Sequence, residues 1–227
     1  MSKRRIDLLD AWRTLAIALM LVYHFLYDLY IFGVLSSNQL FSAPLNLLER
    51  FICSSFILLA GASARFSRNN LRHGLIVLAA GLAVEIGAAA AGQTIRWGVL
   101  MLLGTSMVIW HFLGDYLQKC SPYVSLALFL FTRWWTGVTP VSVGWLYPLG
   151  LMAPGFYSAD YFPLLPWFFL FLLGFFLWPM VREAGIWEWP RRQNPVSWIG
   201  RHTIWIYLAH QPVLYGICWV LEKAGAL

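Results

Sequence analysis

The chain has 227 residues, of which 60% are hydrophobic and only 11% charged, against roughly 25% charged in ordinary globular domains. That balance excludes a water-soluble fold, and it excludes disorder, collagen and coiled coil as well. The net charge of +6 sits mainly in short basic clusters between long apolar runs, the pattern of membrane topology signals rather than of a nucleic-acid surface.

Thirteen Trp, 16 Phe and 10 Tyr suit a polypeptide that crosses and anchors at membrane interfaces many times. A bilayer core about 30 Å thick takes about 20 apolar residues as helix. Such runs are predicted at 12–35, 44–64, 74–91, 97–114, 121–138, 162–181 and 196–221. Arg133 interrupts the fifth. The expected fold is all-α: a polytopic integral membrane bundle of about seven transmembrane helices, forming a single domain over 1–227.

Lys3, Arg4 and Arg5 precede the first run, and no small-residue cleavage site follows it, so the first helix reads as retained. One side of the bilayer collects that cluster with Arg65, Arg68, Arg72, Lys119, Arg182, Arg191 and Arg192. The other holds Arg96 and Lys223, with Arg50 and Arg133 near helix ends. The basic side is expected to be cytoplasmic, with the N-terminus in, the C-terminus out, and a bacterial inner membrane as the location. The longest connection, Thr139 to Asp160, carries Pro140, Pro148, Pro154 and several glycines; on this topology it lies outside, and loops of that length are often functional.

Ionisable residues within spans mark sites or pathways. Along the first helix Asp10, Arg13, His24 and Asp28 fall on one face at 100° per residue, Arg13 and His24 being about three turns and about 16 Å apart. His24 is poised for proton transfer near neutral pH, and a carboxylate one turn on, Asp28, is expected to fix its tautomer. Interfacial anchoring of Asp10 and Arg13 is the competing reading. Glu85 in the third span and His210 in the seventh reach a similar depth, and with His24 they are expected to form a polar centre. A lone helix-to-helix hydrogen bond serves Glu85 equally well, and Pro212 favours a kink at His210. His24, His73, His111, His202 and His210 have no i, i+4 pair and no Cys-x-x-Cys beside them, so no metal is expected. Cys53, Cys120 and Cys218 give no disulfide framework.

The opening Arg5-Ile6-Asp7-Leu8-Leu9-Asp10-Ala11-Trp12-Arg13, with Tyr23-His24-Phe25 and Asp28-Leu29 downstream, resembles the first span of the heparan-alpha-glucosaminide N-acetyltransferase catalytic-domain family. Arg13 and His24 also match the Arg/Lys-x10-His pattern of the wider transmembrane acyltransferase superfamily. The likeness continues through 56–63 (FILLAGAS), 95–104 (IRWGVLMLLG), 160–174 (DYFPLLPWFFLFLLG) and 199–212 (IGRHTIWIYLAHQP). It implies a membrane enzyme that takes an acyl group from cytosolic acyl-CoA and delivers it to an acceptor, often a sugar, on the far side. By position it assigns the catalytic role to His24. Relatives commonly carry a histidine where this chain has Met101; if that residue assists catalysis in them, the assistance here is missing or is supplied by His210.

The leading reading is therefore an acyl-CoA-dependent acyltransferase, an O- or N-acetyltransferase of the cell envelope with acetyl-CoA or another acyl-CoA as donor. His24, Asp28 and Arg13 form the catalytic set, and Asp10, Glu85, Asp160 and His210 have substrate or supporting roles. Arg65, Arg68 and Arg72 offer bidentate partners for the phosphates of coenzyme A, although topology alone also accounts for them. Expected partners are acyl-CoA, an acceptor such as a glycan, and the bilayer, with no nucleic acid and with homo-oligomerisation left open. The alternatives are a small transporter or a proton or solute channel lined by the polar stripe, and a non-catalytic scaffold. The absence of an internal repeat weighs against the transporter. Trp145, Tyr147, Tyr157 and Tyr161 crowd the long loop as an interfacial belt or as platforms for sugar faces.

Overall fold

In lipid a backbone has no water to bond, so each apolar run must close its hydrogen bonds within its own helix. The computed structural model describes residues 7–139, 141–183, 198–200 and 202–227, and among these residues it contains helices and no strand. The order is α1 (Asp7–Ile31), a short α2 (Ser37–Leu40), α3 (Ala43–Ala64), α4 (Asn70–Ala90), α5 (Val99–Leu117) and α6 (Pro122–Val138). A 3-10 turn (Gly144–Leu149), α7 (Leu164–Glu183) and α8 (Thr203–Lys223) follow.

A helix stands at each of the seven predicted positions. Five are long and apolar enough to cross a membrane: α1 from Leu9, α3, α4, α5 and α8. The protein is thus an all-helical, polytopic integral membrane protein. The other two are shorter, α6 at 17 residues and the apolar stretch of α7 at Leu164–Pro179. α6 is bounded by Ser121, whose Oγ accepts the Val124 N–H at 3.2 Å, and by Thr139 in extended backbone. Arg133 is exposed on it.

Boundaries differ where caps override hydropathy. α1 ends at Ile31, earlier than the apolar pattern suggests, because Gly33 takes a left-handed φ of 76° and the Val34 and Leu35 amides both donate to the Leu29 carbonyl. Ser36 and Gln39 then form the capping box that starts α2. Of the basic clusters, Arg65, Arg68 and Arg72 are described. Lys3, Arg4, Arg5, Arg191, Arg192 and the side chain of Arg182 lie outside the described residues, as does Pro140.

The chain divides into two compact units, Met1–Phe56 with Gly185–Leu227, and Ile57–Ala184. In the first, Met20, Tyr23 and Ile52 form a buried core, against which Leu45, Leu48, Phe56 and Tyr207 pack. This joins α1, the beginning of α3 and α8. Gly200 lies so close to α1 that an added Cβ would stand 2.8 Å from the Asp10 carbonyl oxygen.

In the second unit the helices meet at glycines. A Cβ on Gly74 of α4 would stand 2.9 Å from the Gly104 carbonyl oxygen, and one on Gly104 of α5 would stand 2.8 Å from that of Gly74. Gly61 of α3 and Gly174 of α7 are likewise pressed against the backbones of Phe171 and Leu58. Lipid tails are as apolar as leucine, so helices in a bilayer associate through close van der Waals contact, which small residues permit. Gly104→Leu is expected to force α4 and α5 apart at an overpacking cost of about 1–3 kcal/mol, lowering the thermal midpoint in detergent, whereas the same change at Gly137, with nothing within 4 Å of its Cβ position, should leave it unmoved.

Candidate active site

The polar stripe predicted on α1 has two separate parts. Near the start of the helix Arg13 Nη1 donates to Asp10 Oδ1 at 2.7 Å, and Asp10 is buried. The Thr14 hydroxyl donates to the Asp10 carbonyl at 2.9 Å. A buried carboxylate left alone is costly, so this pair holds itself together before any ligand is considered.

Eleven residues further on, His24 is half-buried and turns its ring back along α1, where Nδ1 donates to the Met20 carbonyl at 3.0 Å. A carbonyl can only accept, so Nδ1 carries the hydrogen and Nε2 carries the lone pair. On α8, His210 does the same: its Nδ1 donates to the Tyr207 carbonyl, and its buried Nε2 has no partner among the described residues. The two rings meet edge to face, with centroids 4.6 Å apart and planes at 88°. Tyr23 and Tyr207 flank the pair, with centroids 5.9 Å from His24 and 5.3 Å from His210. Two imidazoles therefore stand together in the first unit, and among the described residues neither basic nitrogen has a backbone partner.

Asp28 departs from expectation. Its side chain is fully buried, but Oδ1 accepts from Gln211 Nε2 at 2.7 Å, and the tautomer of His24 is set by Met20 instead. The physical reason is local: the carbonyl four residues back lies within reach of a helical histidine, leaving the carboxylate to a donor on another helix. Gln211, to which the sequence assigned no role, is that donor. The signal available was an amide side chain in an otherwise apolar helix, beside a histidine.

Glu85 and Asp160 lie in the second unit and are engaged in loop construction. Glu85 Oε1 accepts the Trp97 N–H at 2.6 Å, holding a residue whose φ of 59° is unusual for a bulky side chain. Asp160 Oδ2 accepts the Val99 N–H at 3.1 Å and so caps α5 from a distant loop. Segments 94–97 and 158–162 are tied further by Ala159 N–H to Thr94 and Phe162 N–H to Trp97. In the long loop Tyr147 stacks on Phe156 at 5.3 Å, and the Tyr161 hydroxyl donates to the Tyr147 carbonyl at 2.6 Å. Burial, and then Tyr147, push the Tyr161 phenol up to about 12, so it stays a neutral donor at working pH. Trp145 and Tyr157 are exposed.

The second unit also contains an open cleft of about 440 Å³, lined by Arg65, Arg68, Ser67, Asn70, His111, Asp115 and Gln118, with Trp110 and Phe175 forming its apolar wall. Arg65 lies over the Phe175 ring, 4.9 Å from its centroid. Arg72, the third predicted phosphate partner, is exposed and does not line the cleft; its backbone N–H donates to the helix-capping Asn69. Among the described residues no cluster of three His, Cys, Asp or Glu has metal-binding geometry.

A model of the heparan-alpha-glucosaminide N-acetyltransferase catalytic domain matches residues 5–212. The chain belongs to this family. The match runs through α1 with His24, past the cleft, and along α8 as far as His210 and Gln211. Comparison with curated proteins and with solved structures finds no match. Membership makes this a membrane protein of acetyltransferase type, and it places the paired histidines inside the matched region.

Proposed function

We propose that the protein is an acyl-CoA-dependent acetyltransferase that carries an acetyl group to a sugar amine or hydroxyl at or across the membrane, with the whole chain acting as one catalytic domain. The observation that carries this reading is the His24–His210 pair, two imidazoles whose Nδ1–H groups are fixed by backbone carbonyls and whose rings touch. His24 is the general base. Its Nε2 takes the proton of the acceptor N–H or O–H as that atom attacks the thioester carbonyl. The C–S bond then breaks, and the imidazolium returns the proton to the departing thiolate. His210 lies beside the base and supplies the neighbouring polar surface that Met101 does not. Asp10 and Arg13, about 21 and about 16 Å back along α1, act on donor entry and not on the reacting carbon.

Arg65 and Arg68 suit the phosphates of coenzyme A, and Trp110 and Phe175 offer apolar surface beside them. Arg72 lies at the start of the adjoining α4. On the orientation proposed, the N-terminus is cytoplasmic, this cleft opens to the cytosol and its acyl-CoA, and the aromatic long loop faces the acceptor.

The decisive measurement is acetyl-CoA thiol release with acceptor labelling by the purified protein. His24→Ala should cost about 10²–10⁴-fold in turnover while insertion is retained, and wild-type turnover in that variant would overturn the mechanism. Replacing Arg65, Arg68 and Arg72 together by Gln should weaken acetyl-CoA binding by about tenfold or more for each charge-assisted hydrogen bond to phosphate that the change removes; unchanged affinity would return these arginines to topology alone. A periplasm-dependent reporter fused after Leu227 should be active, and an inactive one would reverse the orientation.

A further inference from the structure

Gln211 has no part in the chemistry outlined above, yet its side chain ties one helix to another. Its Nε2 donates to Asp28 Oδ1 at 2.7 Å, joining residues 183 positions apart. Asp28 is fully buried, so the bond is made to a carboxyl group shielded from solvent, where hydrogen bonds are strongest and their loss is felt most. Its location matters as much as its strength. Asp28 is one helical turn beyond His24 on α1, and Gln211 directly follows His210 on α8.

The bonds that orient the two imidazoles, His24 to Met20 and His210 to Tyr207, are each internal to one helix. They fix how each ring leaves its own backbone and say nothing about where α8 stands against α1. The edge-to-face contact between the rings is weak and tolerates sliding. The Asp28–Gln211 bond, next to the rings and between the two helices that carry them, is a directional contact able to set that register.

We propose that Gln211 is a positioning residue: by bonding Asp28 it locks α8 against α1 and so keeps His210 edge-on to His24. This rests on the reading that the two histidines are the reacting centre, and it reassigns Asp28 from orienting the His24 ring to anchoring the helix that bears His210. Among the described residues Asp28 Oδ2 and Gln211 Oε1 have no partner, so the pair can exchange donor and acceptor, which makes a swap test possible.

The test uses the full chain purified in detergent, with Gln211→Ala, Gln211→Glu and the double variant Asp28→Asn/Gln211→Glu. The double variant reverses the donor and acceptor while keeping the charge of the pair. Diethyl pyrocarbonate, which modifies accessible imidazole, is followed residue by residue by mass spectrometry. Gln211→Ala and Gln211→Glu should release His210 from its buried position and speed its modification several-fold. In acetyl transfer they should lower kcat by about 10- to 100-fold, the loss expected for one charge-assisted hydrogen bond, with the KM for acetyl-CoA unchanged. The double variant should recover both readouts relative to Gln211→Glu, a rescue that general destabilisation would not produce. Unchanged His210 modification in both single variants, or a double variant no better than Gln211→Glu, would overturn the proposal. A wild-type protein that transfers no acetyl group would instead sink the acyltransferase reading and leave the modification rates to judge the lock.

Discussion

Everything at the candidate centre depends on one constraint: inside a bilayer a polar group must find its partner within the protein. For His24 the nearest partner is the carbonyl of Met20, and that bond decides which ring nitrogen keeps its lone pair. The repetition of the device at His210, through Tyr207, turns two isolated imidazoles into a matched pair. The same constraint explains Asp10 with Arg13, Asp28 with Gln211, and Glu85 with the Trp97 amide. Each is a polar side chain in apolar surroundings whose role is set by the partner within reach.

The helices were legible because apolar runs of membrane length have few other outcomes. Their ends were less so. Gly33 stops α1 while Phe32 and Val34 keep the hydropathy high, and a signal carried by one backbone conformation does not register in an apolar average. His24 and Asp28 were singled out by helical spacing and His210 by depth, since both follow from counting along one axis. Gln211 was not, because its meaning depends on which residue α8 sets opposite Asp28, a tertiary fact. Glu85 shows the same limit: its carboxylate serves the loop before α5, a partner that depth along a helix does not report.

The second unit divides its labour differently. Glycines let α4 cross α5, and α3 cross α7, at backbone contact, which leaves the ends of these helices to carry polar residues. Arg65 and Arg68 stand just past the end of α3, beside the last turn of α5. On the reading proposed, cations there would answer both to topology and to an anion that enters the cleft, two uses that do not conflict. Asp160 plays the matching part at the start of α5, where a carboxylate on the free amides completes the helix from a residue 61 positions away.

The choice of a carbonyl in place of a carboxylate as the partner of His24 has a chemical consequence. A carboxylate behind an imidazole fixes the tautomer and also stabilises the imidazolium formed when the base takes a proton. A carbonyl fixes the tautomer equally well but offers only a dipole, so the charged form gains less from it. In an apolar interior a base of this kind is best used where the proton is held briefly. The acyl transfer proposed above would meet that condition: the thiolate released in the same event is the group to which the proton would return, and no step of the proposal requires the pair to store charge between turnovers.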